Sequence, residues 1–184
     1  MKRLYIIAIL SLLATLIQAQ EDKGKFYTKM STGLSNTITS ISGSEPSYVF
    51  NLQADGGYFL TNKLILGLST NLTYMKVPAF NDELSISLGV FSKYYLSTGK
   101  VRPYITGGIS AHKGSLHWGY KPNQYYRTND TGILGYLGLG VSYEITKNIN
   151  LETEIKYNHF DNLDNDNYSR MNGVELNIGV SFKF

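Results

Sequence analysis

The sequence predicts an all-β fold, an eight-stranded antiparallel transmembrane β-barrel wound as an up-and-down meander, and three observations carry that expectation. Apolar and polar residues alternate with period 2 over eight segments. The connections between segments run long and short in strict turn, and the apolar face carries no formal charge while the opposite face is rich in it. Side chains of an extended strand project to alternate sides, so each segment has one oily and one polar face. No helical periodicity interrupts the pattern to supply a cover for the oily faces. In lipid every backbone polar group must be bonded internally, which a sheet achieves only by closing on itself.

The final segment is the clearest. In Asn172–Phe184, the side chains of Val174, Leu176, Ile178, Val180, Phe182 and Phe184 fall on one side, with Glu175, Asn177, Ser181 and Lys183 on the other. The first strand is predicted from about Lys25 to Asn36, with Phe26, Met30 and Leu34 outward and Lys25 and Lys29 inward. The second, Tyr48 to Leu60, sets Phe50 and Leu52 against Gln53 and Asp55, and a tight turn at Thr61-Asn62-Lys63 leads to the third, Leu64 to Tyr74. In the fourth, Glu83 to Leu96, Leu84, Ile86, Leu88 and Val90 oppose Lys93. Ser97 to Arg102 is expected to turn the chain. Both faces of the fifth strand, Pro103 to His112, are mild, with Ile105, Ile109 and Ala111 placed outward. Gly132 to Ile145 sets Leu137 and Leu139 against Glu144, and a minimal turn at Thr146-Lys147-Asn148 opens the seventh strand, Ile149 to His159, which carries Glu152, Glu154 and Lys156 inward. Aromatic residues gather near the strand ends, as amphipathic rings do at the two membrane interfaces.

Lys2 and Arg3, an apolar run from Leu4 to Ile17 and the small-residue end Gln18-Ala19-Gln20 have the layout of a secretory signal, too short to span a bilayer as a helix. Residues 1–19 are therefore expected to be removed, leaving 20–184 as a single barrel domain. The 17 basic residues, less Lys2 and Arg3, leave 15 against 14 acidic ones, a balance that implies no nucleic-acid partner. With no cysteine in an exported chain, stability has to come from strand closure and packing.

Several stretches carry a family resemblance: Lys93-Tyr94-Tyr95-Leu96, Arg102-Pro103-Tyr104 running into Gly107-Gly108, Gly138 to Tyr143 followed by Thr146-Lys147-Asn148, and the closing Val180-Ser181-Phe182-Lys183-Phe184. Together with the signal they resemble the OmpA/OmpX-type outer-membrane β-barrels over essentially the whole mature chain. The resemblance implies the outer membrane of a Gram-negative-type bacterium, contact with outer-membrane lipid and lipopolysaccharide, and insertion by the barrel assembly machinery, with Phe182 and Phe184 as the terminal aromatic signal. It implies no activity, because members include structural proteins, adhesins and lipid-modifying enzymes. A monomer without cofactor or metal is expected.

Three groups of residues invite a functional reading. Eight strands leave an interior just wide enough for side chains to fill, so Lys29, Asp55, Lys93, Glu144, Glu152, Glu154, Lys156, Glu175 and Lys183 are expected to form a paired lumen network, in preference to an ion path. The expected extracellular loops, Thr37 to Ser47, Met75 to Asp82, Lys113 to Thr131 and Phe160 to Arg170, hold His117, Trp118, Tyr120, Lys121, Tyr125, Tyr126, Arg127 and Tyr168. These make a basic, aromatic surface suited to anionic glycolipid headgroups or to an extracellular or envelope protein partner. Finally, Tyr157-Asn158-His159-Phe160-Asp161-Asn162 is similar to the His-x-Ser-Asn segment of PagL-type lipid A deacylases, in which the His is the base and the Ser the nucleophile. Asp161 stands where that Ser would be and Glu175 is a loose positional match for the acidic partner, so an enzyme is not expected. Asp161 to Asn167 lacks the glycine turn and distal Glu of a calcium loop.

Overall fold

The computed structural model describes residues 22–38, 47–76, 83–117, 131–163 and 170–184, and the expected signal segment lies outside them. Eight strands form: β1 Phe26–Ile38, β2 Ser47–Phe59, β3 Leu64–Lys76, β4 Glu83–Tyr95, β5 Val101–His117, β6 Thr131–Thr146, β7 Ile149–Asn162 and β8 Arg170–Lys183. Each pairs antiparallel with its neighbour in sequence, and β8 pairs back onto β1, so the sheet is a closed barrel with no free edge. At the seam Phe26 N donates to Phe184 O at 2.7 Å and Phe184 N to Phe26 O at 3.1 Å, so the terminal aromatic residue completes the closure.

The outward faces are apolar. Leu68, Leu88, Leu137 and Leu139 are each more than 60% exposed, while Lys29, Lys93, Glu152 and Glu154 are almost wholly buried in the interior. That inversion is the one a barrel in lipid requires, since the oily face meets acyl chains and the ionic face meets only other protein atoms. Around the short-turn end the outward rings of Phe26, Tyr58 and Phe184 cluster, with Phe26 and Tyr58 edge to face at 5.4 Å. They form part of an interfacial girdle.

Most strands run further toward the long-connection end than the alternation predicts. β5 starts at Val101 and extends to His117, so Arg102 and Lys113 belong to a strand and not to turns or loops; β7 continues through His159 to Asn162, and β8 begins at Arg170. The sequence misses these extensions because the oily alternation stops where the strands leave the bilayer, while the hydrogen-bonded ladder goes on. Outward register positions then become polar or charged, at Lys113 and Asp161. A register shift in the β4–β5 pair between Leu84 and Ile86 sets Lys113 opposite Ile86. Lys25, expected inward on β1, instead lies before that strand and bonds Asp22 at 3.0 Å.

Leu88→Arg, at an exposed apolar position of β4, is expected to weaken folding into phosphatidylcholine vesicles by about 2–4 kcal/mol. Urea titration of the refolded protein measures the difference.

Candidate functional site

The interior is built in layers from the short-turn end upward. At the base Asp22, from the segment that precedes β1, meets Arg102 of β5 at 2.9 Å, Lys183 of β8 at 3.1 Å and Lys25 at 3.0 Å. Gly24 turns this segment inward at φ +89°, a conformation that suits glycine. Asn62, in the β2–β3 turn, pins it by accepting hydrogen bonds from Asp22 N and Lys23 N. Glu144 joins the layer, 3.1 Å from Arg102 and 3.5 Å from Lys183, and Asn150 Oδ1 accepts a further bond from Arg102 at 2.9 Å.

Above the base sits an aromatic layer of Tyr27, Phe59, Phe91, Tyr95 and Tyr104 with Ile65. These side chains come from β1 to β5. From the other side β7 contributes Glu152, which accepts from Lys93 at 2.6 Å and Tyr27 at 3.1 Å on one oxygen, and from Ser181 at 2.8 Å and Tyr95 at 3.3 Å on the other. The Lys93 ammonium also donates to Tyr27 OH and lies 4.3 Å from the Tyr104 ring centre, so three rings enclose the pair. Gly140 faces this layer because the Tyr104 ring occupies the space its Cβ would need.

A third layer pairs Lys29 with Glu154 at 2.7 Å and, more loosely, with Glu152 at 3.8 Å. Asp55 Oδ1 accepts from Ser69 at 2.6 Å and Gln53 at 2.7 Å, and Gln53 Oε1 in turn accepts from Lys156, whose ammonium lies 5.1 Å from the Tyr136 ring centre. The structure thus brings eight of the nine named lumen residues into ion pairs or hydrogen-bonded chains that share partners. Glu175 stands apart: Asn158 Nδ2 donates to its Oε2 at 2.8 Å, and its Oε1 has no partner. Asp22, Arg102 and the enclosed tyrosines complete the packing, although Asp22 precedes the first strand expected from the sequence and Arg102 falls in an expected turn. Period 2 alone puts Phe59 on the inner side, between outward Tyr58 and Leu60, but nothing local points to Asp22.

The outer face at the long-connection end holds a second polar group. His159 Nδ1 is 2.7 Å from Asn172 Oδ1, which also accepts from Tyr157 OH at 2.9 Å, and His159 Nε2 is 3.3 Å from Asp161 Oδ2. Glu175 does not join it, because it points into the lumen. Phe160, expected in a loop, is buried and meets His112 edge to face at 4.9 Å. Of the expected contact surface, His117 ends β5, while Trp118, Tyr120, Lys121, Tyr125, Tyr126, Arg127 and Tyr168 lie outside the described residues. Among the described residues no cluster of three or more His, Cys, Asp or Glu side chains could hold a metal.

Oily exterior, closed meander and packed ionic lumen define a small transmembrane β-barrel. The chain belongs to the outer membrane protein beta-barrel domain family, which matches residues 5–184, and this family places it in the bacterial outer membrane. Neisserial surface protein A is similar in structure, with a TM-score of 0.70 and 24% identity over 88% of this chain and 100% of that one. So are the outer membrane enzyme PagL, with a TM-score of 0.58, 16% identity and coverage of 82% and 97%, and the N-terminal barrel of Pseudomonas aeruginosa OprF, with 0.54, 15%, and 89% and 99%. At these identities the likeness is one of fold. A comparison with curated protein sequences finds no match.

Glu152→Gln strands the Lys93 ammonium in the barrel and is expected to cost about 3–5 kcal/mol of stability, read from urea midpoints. A second expectation concerns pH. Burial of Asp22 opposes its ionisation, but hydrogen bonds and charge from Lys25 and Lys183 outweigh it and hold the carboxyl below its ordinary value of 3.8. A carboxyl whose pKa is lower in the folded chain stabilises fully above the unfolded value and loses that contribution as pH falls through the folded value. Asp22→Asn is therefore expected to be less stable than wild type by about 2 kcal/mol at neutral pH. The gap should close as titration proceeds below pH 3.8.

Proposed function

We propose that the protein is a non-enzymatic outer-membrane surface protein that acts through its extracellular segments, residues 39–46, 77–82, 118–130 and 164–169. The observation that carries this reading is the filled lower lumen. A solute path along the axis would have to break the Lys93–Glu152 pair, which three tyrosines enclose, and the Asp22–Arg102–Lys183 base beneath it. Breaking a buried pair costs several kcal/mol, so the pore reading is disfavoured. What then remains to meet the outside is the rim and the connections between strands, among which the Trp118 stretch combines rings with Lys121 and Arg127 in sequence. That chemistry suits lipopolysaccharide headgroups or a protein partner. Similar barrels include one named as a surface protein and one named as an enzyme, and fold alone does not choose between them.

The His159 group favours the non-enzymatic reading. A PagL-type deacylation needs a serine two residues after the base, and here a carboxylate occupies that position and engages the imidazole. Insertion is proposed to use the assembly machinery, reading Phe182 on the outward face of β8 and the exposed Phe184 that follows it.

Purified, refolded protein is expected to show no stable conductance in planar bilayers and to release no hydroxyacyl chains from lipid A. Replacing residues 118–130 by a short Gly-Ser linker is expected to leave barrel folding unchanged and to lower binding to lipopolysaccharide or to its protein partner at least tenfold in surface-capture assays. A selective steady current, or liberated fatty acid, would reject the surface-protein reading.

A further inference from the structure

The short-turn end carries basic charge that no acid in the described barrel answers. Each short turn presents one lysine: Lys63 between β2 and β3, Lys100 between β4 and β5, and Lys147 between β6 and β7. Lys23, in the segment before β1, lies beside the first of these turns, because its backbone N donates to Asn62 Oδ1 at 2.8 Å. Lys23, Lys100 and Lys147 are exposed and Lys63 is half-buried, and none of them makes an ion pair among the described residues. The acids of this end are used elsewhere. Asp22 and Glu144 pair with Arg102 and Lys183, and Asp22 also holds Lys25. Among the described residues no other acidic side chain lies at this end.

The turns hold their lysines in fixed places. Thr61 Oγ1 accepts from Lys63 N at 3.2 Å and Leu64 N at 3.0 Å, and Thr146 Oγ1 repeats the arrangement with Asn148 N at 3.3 Å and Ile149 N at 3.1 Å. Ser97 Oγ closes the remaining turn by donating to Val101 O at 3.0 Å. Successive turns are two strands apart in the closed sheet, so the charge follows the rim and is not gathered on one side. Shortly before each turn an outward ring is exposed: Tyr58 before Lys63, Tyr94 before Lys100 and Tyr143 before Lys147. Phe26 and Phe184 continue that belt. Such rings mark the edge of the hydrocarbon, which puts the lysines beyond them at the height of the periplasmic leaflet's headgroups.

We propose that this rim of lysines is a docking surface for anionic phospholipids of the periplasmic leaflet, whose headgroups carry a phosphodiester without a balancing amine. Phosphate oxygens accept charge-assisted hydrogen bonds from ammonium groups, and each lysine near an anionic lipid surface adds to the attraction. Annular lipid touches every turn of a barrel, which suits charge spread along the perimeter. A protein partner would meet one side, and turns this short build no concave surface for it. The rim faces the periplasm and is independent of whatever the extracellular segments bind.

The test reconstitutes the refolded full-length barrel in phosphatidylcholine vesicles and compares spin-labelled phosphatidylglycerol with spin-labelled phosphatidylcholine by electron paramagnetic resonance, which separates lipid immobilised on the protein from free lipid. Wild type is expected to prefer phosphatidylglycerol about threefold at low salt, averaged over the lipid shell, since one lysine is worth about a factor of five to a headgroup in contact with it. The preference should vanish as salt rises from about 0.01 M to about 1 M and the screening length falls from about 30 Å to about 3 Å. The combined variant Lys23→Gln, Lys63→Gln, Lys100→Gln and Lys147→Gln should lower the preference at least about twofold, and the matching Arg variant should keep it. Heat-modified electrophoretic mobility checks folding, and if the combined variant does not fold the single turn variants are measured one by one. Equal immobilisation of the two labels by wild type, or a preference that survives high salt, overturns the proposal. So does a preference unchanged in the Gln variants, which would place the lipid on the extracellular rim, or one lost in the Arg variant as well.

Discussion

Glu152 is a charge removed from water in the middle of a barrel only eight strands wide, and the interior is organised around its neutralisation. Its four hydrogen-bond donors come from β1, β4 and β8. Lys93 reaches it across the lumen from a strand that does not touch β7 in the sheet. A carboxylate so enclosed is tolerable only with a counter-ion and a full complement of donors. The tyrosines serve both needs, because their rings exclude water while their hydroxyls complete the bonding. Closure of the lumen is a consequence of satisfying that charge.

The two faces of each strand answer to different solvents, and this explains the composition. Lipid exerts no hydrophobic pull between strands, so the outward Leu, Ile and Val residues are there to avoid a penalty while the ladder and the seam hold the sheet. Inward positions must fill a narrow space in which large rings have to be offset by small residues. Tyr104 against Gly140 is one such pair, and the stacked Phe59 and Tyr95 rings, 6.2 Å apart, show how closely the layer is filled.

The base depends on residues that have no periodic signature. Asp22 lies outside every strand, and its role follows from the turn at Gly24 and from Asn62, which catches the backbone of the segment. Arg102 sits beside Pro103 in a stretch that resembles a turn, yet it is the second residue of β5 and points inward. At the other end, the ladder outlasts the oily pattern, and this carries Asp161 onto the strand surface that holds His159 and Asn172.

The sequence by itself determined the strand number, the meander and the side of each strand that faces lipid, because period 2 is a local property that each segment displays without help from the others. It also determined that Glu154, Lys156 and Lys29 lie inside, but not that Asp22 and Arg102 join them. Only the tertiary structure decided which of them meet. Lys93 and Glu152 are 59 residues apart and on non-adjacent strands, and whether two inward side chains touch depends on the stagger of the closed sheet and on the height of each layer, quantities that no single strand encodes. The same stagger leaves Glu175 beside Asn177 over Gly33, away from the lysine that its own register places opposite.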